Sequence, residues 1–467
     1  MISLRIRCLF ASAGLLLGGF AVSADQPDSG LPISLPEDLL PGLRILLDSA
    51  LQESPRILMG RLEIERSRAN YITSRAAMLP SLRADGSYSN KTSRVKDSDA
   101  PASESNGIYY SAGAGQPIFH WGAIKRQTDI AKLEILFQEL NLAEAYQQLA
   151  VLIRRQYLGL IYQQMAVRNL RYASEMADDY LKLQESKLEA GTLPAGSIIT
   201  PRISAMEARL SVEQGVEAQR YAAETLARLC GVKRIVVEEL PETIPAQKFS
   251  DEVRGEYMAE LAAETELSNT PQALFTQLRL DQDDLRYKIA RTNLLPKIGI
   301  SANYGLDNTT SVNGDSVVQQ ATTSFSYGVS VSWAIFDGLS TRGQKLSILA
   351  SKRVNERTLK TYLEDTAAAL TNLERQIEFA GQATNLAQMR YDLADDAVRL
   401  TRDNFKAGVA SRNAVSGVTN NAYVAELALA NARQNELMLW TQYISTAGLD
   451  PVLEQFPVIK ERISHGR

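Results

Sequence analysis

Cysteine and histidine are almost absent from this sequence, which has two of each in 467 residues. His120 and His465 lie far apart, and there is no HExxH pattern or cluster of Cys and His ligands. Transition-metal sites are built mainly from such clusters, so we expect no metal and no cofactor. Carboxylates are plentiful, but on helices of this kind they form a solvated face, and we expect no catalytic residues and no enzyme activity. The formal charge of -4 is not the net positive charge that is typical of nucleic-acid-binding proteins, so no nucleic-acid partner is expected.

Long apolar runs are also scarce. The first 24 residues have a basic start, an apolar run from Cys8 to Val22 and a small-residue end, which together predict a signal peptide (1–24). Removal of this segment would leave Cys230 as the one cysteine, so no internal disulfide is expected. Charges interrupt every later stretch, and no transmembrane helix is predicted. An exported chain of this kind either contributes to a membrane barrel or is a soluble periplasmic or secreted protein.

The sequence contains two similar halves. Leu79-Pro80 precedes a strand-like segment in the first half, and Leu295-Pro296 does so in the second. Ile118-Phe119 and Ile335-Phe336 are 217 residues apart, and this long period indicates a duplicated half of a domain.

The pattern of each half predicts a helix, two strands and a long helical hairpin. Polar loops are predicted at 91–106 and 307–323, between the strands of each pair, and the tail after Pro451 is expected to be loose. The predicted segments are a first repeat (25–230, with an N-terminal helix at 37–77, strands 81–90 and 107–119, and hairpin 124–229), a mixed segment (231–270), a second repeat (271–447, with strands 297–306 and 324–336, and hairpin 340–447) and a tail (448–467).

The predicted strands alternate between apolar and polar residues. In the last strand, Phe325, Tyr327, Val329, Val331 and Trp333 would lie on one face, and serines and a glycine on the other. Runs of about ten residues with this pattern are typical of strands that cross a membrane, so we expect the apolar face to contact lipid. Four strands are too few to close a barrel, and a trimer with twelve strands or a dimer with eight would solve this.

The two predicted long helices, 124–190 and 340–407, carry apolar residues at alternating steps of three and four. Each is about 67 residues long and would span roughly 100 Å. They turn at Gly191 and Gly408. By itself this pattern fits a coiled-coil stalk, whereas attachment to a shared barrel favours a hollow cylinder.

The sequence resembles the TolC family of outer-membrane factors in three repeated features. They are the two Leu-Pro pairs, the strand ends at Pro117-Ile118-Phe119 and Ile335-Phe336-Asp337-Gly338, and the helix ends at Ala190-Gly191 and Ala407-Gly408. The resemblance implies a mainly α fold with a small transmembrane β part, in which three protomers share a 12-stranded barrel on a periplasmic helical tunnel. It implies a location in the outer membrane of a Gram-negative bacterium. It also implies a homotrimeric exit duct for a tripartite efflux pump or type I secretion system, gated at the periplasmic helix tips.

The partners that the resemblance implies are a periplasmic adaptor protein and an inner-membrane transporter, whose RND, ABC or MFS type the sequence leaves open. The cargo also stays open. The alternative functions are a structural or adhesive coiled-coil protein without a pore and, less favoured, a periplasmic adaptor, which would have one helical hairpin rather than two.

The sequence departs from the family at the expected aperture. Members of the family often place aspartates six and nine residues after the second turn glycine, where this chain has Ala414 and Gly417. The first repeat has Ser197 and Thr200 at the equivalent positions. We therefore predict an aperture without a carboxylate ring, either neutral or basic. The candidate aperture residues are Gly191, Ser197, Thr200, Arg202, Gly408, Arg412, Asn413, Ala414 and Gly417.

Overall fold

The computed structural model describes residues 34–94, 102–247, 267–313 and 316–456. The predicted signal peptide, 1–24, lies outside the described residues, as does the end of the predicted tail. Among the helices in the described ranges, none is long and apolar enough to cross a membrane.

Prolines divide the N-terminal segment into three helices. They are α1 (Pro36–Leu39), α2 (Pro41–Glu53) and α3 (Pro55–Ala76), and each begins at a proline. Proline lacks the amide hydrogen that the first turn of a helix leaves unpaired, so it fits there and interrupts a helix elsewhere. The prediction of one continuous helical segment over 37–77 is therefore wrong at Pro41 and Pro55.

Four antiparallel strands form one sheet in the order β1-β2-β3-β4. The pairing of β2 with β3 joins the two repeats in the middle of the sheet, so β1 and β4 are its edges. The strands are β1 (Ser81–Ser93), β2 (Ser103–Phe119), β3 (Lys297–Asn313) and β4 (Ser316–Ser332).

The strands continue into both segments that the sequence predicted to be loops, 91–106 and 307–323. Ser93 still pairs with Ser103, and Asn313 pairs with Ser316. Backbone hydrogen bonds need no apolar side chain, so a polar strand continues after its alternating pattern has ended. At the end of the last strand the prediction extended too far, because β4 stops at Ser332 rather than at 336.

Two long helices leave the sheet. They are α4 (Ala123–Glu189) and α7 (Ser340–Lys406), and each has 67 residues. Each returns through a shorter partner, α5 (Ile199–Cys230) for α4 and α8 (Arg412–Ala447) for α7. The remaining helix, α6 (Pro271–Ala290), packs against α4 and α7 next to the sheet.

The junctions from strand to helix have the same backbone shape in both repeats. Two consecutive residues have positive φ, Trp121 (54°) with Gly122 (73°) and Gly338 (65°) with Leu339 (71°). Because glycine takes only one of the two positions, a bulky residue is held in the left-handed region each time. The Trp121 indole donates to the Pro296 carbonyl at 2.7 Å, which fixes the first junction to the start of β3.

The main hydrophobic core lies where α2, α3, α4, α5 and α8 meet the short 3-10 segment that follows α5. Cys230 is buried there, and burial raises the pKa of its thiol to about 12. The described part of the tail is packed rather than loose, since Val452 and Leu453 are buried.

A charged cluster lies at the same level. Arg154 of α4 is fully buried, and it donates from Nη1 to Asp450 at 2.6 Å and from Nε to Glu37 at 2.8 Å. Burial alone would lower the pKa of Arg154, but the carboxylates of Asp450 and Glu37 outweigh it and raise the pKa above its ordinary value. The cluster therefore joins α1, α4 and the C-terminal segment.

Candidate functional site

The register of the sheet places apolar side chains of all four strands on one face. Leu82, Ala114, Ala302 and Tyr327 form one row across the sheet, and Ala84, Ala112, Tyr304 and Phe325 form another row on that face. The alternate rows face the opposite way and are polar or glycine. Arg83, Gly113, Asn303 and Ser326 form the row between the two apolar rows, and Asp85, Ser111, Gly305 and Ser324 form the row after the second apolar row.

Among the residues that the structure describes, none covers the apolar face. Phe325 is 68% exposed, Tyr327 80%, Val329 69% and Val331 64%. An apolar surface of this extent marks contact with a partner or with lipid.

Trp333 does not belong to this face as a strand residue, because β4 ends one residue earlier. Its indole donates to the Leu294 carbonyl at 3.0 Å, so it ties the end of β4 to the segment before β3. The sequence placed Trp333 in the strand because the alternation continues through Trp333 and Ile335, although the backbone has left the sheet, and its contact with lipid stays a prediction.

Two of the three predicted aperture glycines, Gly191 and Gly408, lie at hairpin turns, whereas Gly417 lies inside α8. Gly191 has φ of 69° and Gly408 has φ of 76°, a conformation that favours glycine and ends the helix before it. After the first turn, the Ser197 hydroxyl donates to the Pro194 carbonyl at 2.7 Å. After the second turn, Ser411 caps α8 by accepting from the Ala414 amide at 3.2 Å.

The arginines near the turns are paired with acids of α4. Arg202 lies 3.6 Å from Glu185, and Arg412 lies 3.3 Å from Asp179. Both pairs are exposed, so they add little stability, but they offset the positive charge of each arginine. Of the two predicted aperture types, this pairing favours the neutral one, which stays a prediction.

The two sets of aperture candidates do not meet in one cluster. Thr200 and Arg202 lie in the first turns of α5, whereas Asn413, Ala414 and Gly417 lie in the first turns of α8. The Arg412–Asp179 pair sets the start of α8 beside α4 at a point 12 residues before Gly191. The second turn therefore lies against the side of the first hairpin rather than beside its tip.

Polar contacts join the two hairpins along α4 and α8. Arg168 forms an ion pair with Glu426 and lies over the Tyr423 ring, with 5.2 Å between the guanidinium carbon and the ring centroid. Asn169 donates to the Tyr423 carbonyl at 2.9 Å, and the Tyr172 hydroxyl donates to the Ser416 carbonyl at 3.4 Å. This set of contacts could not be predicted from the sequence, because no local pattern links residues that are about 250 positions apart.

An open groove lies where α4 and α8 separate near the turns. Its volume is about 1060 Å³. Tyr172, Asp179 and Tyr180 line one side, and Arg412 and Asn420 line the other. The groove is lined by polar, charged and apolar side chains, and it lies between the two hairpins near their turns.

Apolar side chains also remain exposed on the outer helices of the two hairpins. The α5 stripe is defined by Ile199, Ile203, Met206 and Leu210, and the α7 stripe by Phe379, Leu386, Leu393 and Leu400. The α7 stripe repeats every seven residues, which is typical of a coiled-coil contact. Since α4 packs on both α5 and α8, and α8 packs on α7, the stripes lie on the first and last helix of this series.

The described ranges contain no group of three or more His, Cys, Asp or Glu side chains that could hold a metal ion.

A sheet with one exposed apolar face, joined to two hairpins of very long helices, is the architecture of an outer-membrane channel protomer. The sequence pattern of the outer membrane efflux protein family matches residues 46–232 and 262–442, which together are most of the chain. The chain belongs to this family, so it is an outer-membrane efflux channel and not an enzyme. The predicted family, mainly α fold, export function and outer-membrane location are thereby confirmed, and the alternative of a fibre or adhesin without a pore is excluded.

Solved structures show the same fold at low sequence identity. The Campylobacter jejuni CmeC outer membrane channel is 15% identical with a TM-score of 0.67, over 97% of each chain. The outer membrane protein VceC from Vibrio cholerae is 16% identical with a TM-score of 0.62, over 88% of this chain and 97% of that one. The open state of the Neisseria gonorrhoeae MtrE outer membrane channel is 17% identical with a TM-score of 0.59, over 89% of this chain and 90% of that one. No curated protein matches the sequence.

Proposed function

We propose that three copies of the chain form a channel with a shared 12-stranded barrel in the outer membrane and a helical tunnel in the periplasm. The observation that carries this proposal is the exposed apolar face of a sheet that has two open edges. Lipid does not tolerate unpaired strand edges, so β4 of one protomer must pair with β1 of the next. Two protomers would give eight strands, whose interior is filled by side chains, whereas twelve leave room for a pore.

The helices close the ring in the same way. The α7 stripe of one protomer would pack on the α5 stripe of the next, because these are the outer helices of the two hairpins. This contact is heterologous and closes at three copies. It buries apolar residues that are otherwise exposed on the single chain.

A charge in the α7 stripe is expected to break the trimer. Leu393→Glu would bury a carboxylate in an apolar contact, which is unfavourable without a partner. We expect light scattering of the detergent-solubilised protein to show mostly monomer for Leu393→Glu and trimer for the unaltered chain. Gln376→Glu is the matched control, since Gln376 is exposed on α7 outside the stripe. A stable Leu393→Glu trimer would contradict the proposed contact.

Channels of this family act in tripartite efflux systems. For this chain we infer that a periplasmic adaptor protein docks near the hairpin turns and links it to an inner-membrane transporter of RND, ABC or MFS type. Support comes from the open groove between α4 and α8 and from exposed apolar side chains near the turns, with Val409 80% exposed. An exposed apolar residue beside a groove is suited to receive the tip of another helical hairpin.

The contacts between α4 and α8 would hold the tunnel closed at its periplasmic end. Opening requires the two hairpins to separate there, which breaks the Arg168–Glu426 and Arg412–Asp179 pairs. The Arg412–Asp179 pair is exposed and therefore weak, whereas the Arg168–Glu426 pair is partly buried, and the binding energy of a docked adaptor would have to offset the loss of both.

Removal of these pairs is expected to open the channel. The double substitution Arg168→Ala and Arg412→Ala should raise single-channel conductance in planar bilayers and sensitise cells to large antibiotics. Arg209→Ala is the control, because Arg209 pairs with Asp178 inside the first hairpin and does not join the two hairpins. Equal conductance in the double variant and the unaltered channel would rule out a gate at these contacts.

A further inference from the structure

Basic residues are concentrated where the sheet joins the helices. The segments 70–80, 120–130, 288–297 and 333–347 contain eight basic residues against two acidic ones, Asp129 and Asp337. The whole chain has 50 basic and 54 acidic residues, so this excess is local. We call this set the basic collar, and its members are Arg75, Lys125, Arg126, Lys288, Arg291, Lys297, Arg342 and Lys345.

In the part of the protomer that the structure describes, the charges of the collar are not paired with acids. Over the described ranges, no member of the collar lies within ion-pair distance of a carboxylate. Arg126 donates from Nη1 to the Trp121 carbonyl at 2.8 Å, which leaves its charge uncompensated. The nearby acid Asp337 is engaged, because its Oδ2 accepts from the Thr341 amide at 2.8 Å at the start of α7.

The collar is interleaved with exposed apolar and aromatic side chains. Leu339, Arg342 and Leu346 follow one another at one-turn spacing along α7, and both leucines are 59% exposed. Near the base of β2, the Phe119 and Trp121 rings are 4.8 Å apart, beside Arg126. Aromatic rings mixed with Lys and Arg are typical of a membrane–water interface, where the rings lie at headgroup level and the charged groups reach outward.

We propose that the basic collar binds the phosphate groups of anionic phospholipids in the periplasmic leaflet of the outer membrane. The inference rests on the proposed orientation, with the apolar face of the sheet in lipid and the hairpins in the periplasm. The collar then lies at the height of the inner headgroups, and its excess positive charge complements a negative lipid surface. A protein partner would need a paired surface around the whole ring, whereas lipid surrounds the channel from every side.

The proposal is tested on the purified full-length channel. Delipidated trimer in detergent is incubated with dioleoyl phosphatidylglycerol or dioleoyl phosphatidylethanolamine, and bound lipid is counted by native mass spectrometry. The collar variant is K288Q/R291Q/R342Q/K345Q. The matched control is K187Q/R357Q/R375Q/R402Q, which removes four exposed basic residues from the long hairpins.

We expect the unaltered trimer and the control to retain more phosphatidylglycerol molecules than phosphatidylethanolamine molecules. We expect the collar variant to lose at least about tenfold in this retention, because each basic residue near a lipid surface contributes about fivefold. Equal retention by the collar variant, the same loss in the control, or displacement of the lipid by excess inorganic phosphate would overturn the proposal. Conductance of the same preparations in planar bilayers separates this failure from failure of the channel function itself.

Discussion

Arg154→Met is expected to destabilise the channel by about 3–5 kcal/mol, the cost of leaving a buried charge without its partner. Two carboxylates, Glu37 and Asp450, would then remain buried with no cation. The cluster joins the first described helix, the long helix α4 and the C-terminal segment, so its loss should loosen all three. Circular dichroism of the detergent-solubilised protein should show helix melting at a markedly lower temperature.

Two further variants separate charge from packing at this cluster. Arg209→Met removes a more exposed ion pair, between Arg209 of α5 and Asp178 of α4, and should leave the melting temperature almost unchanged. The triple substitution E37Q/R154M/D450N removes all three charges and should recover much of the lost stability. If Arg154→Met and the unaltered protein had the same melting temperature, the cluster would not stabilise the fold.

Tyr327→Arg is expected to prevent assembly in the outer membrane. Tyr327 lies on the apolar face of β4, about midway along the part of the strand that would cross the bilayer. An arginine on the lipid face of a barrel costs about 2–4 kcal/mol at the bilayer midplane, and a trimer would carry three. We expect little heat-resistant trimer in the outer-membrane fraction.

Ser326→Arg is the matched control for Tyr327→Arg. Ser326 is the preceding residue of the same strand and lies on the polar face, next to Asn303. The same arginine would there face the water-filled interior, so trimer yield should be close to that of the unaltered chain. If the two variants assembled equally well, the apolar face would not be the one in contact with lipid.

The fold was predictable to the extent that it depends on repeated local patterns. A seven-residue apolar pattern was enough to predict long helices, and an alternating pattern was enough to predict strands with one apolar face. The same rule failed at the ends of the strands. Polar pairs such as Ser93 with Ser103 continue the sheet without an apolar face, and Trp333 continues the alternation after the sheet has ended.

The contacts that link the hairpins were not predictable from local patterns. Arg154 contacts residues 117 and 296 positions away, and Arg168 contacts one 258 positions away. In the sequence each is one charged residue among many on a long helix, where a solvated position is the ordinary outcome. Only the folded structure, which brings Glu37, Asp450 and α8 against α4, reveals the partners.

The equal length of α4 and α7 restricts how the reach of this channel can evolve. Because both helices run from the sheet to a turn and pack along seven-residue repeats, a cut in one alone would shift its apolar residues against every neighbour. Only matched deletions of whole heptads in all four hairpin helices keep the facing residues aligned. The depth to which the duct extends therefore changes in discrete steps of about 10 Å, and a relative adapted to a wider or narrower envelope should differ from this one by multiples of that step.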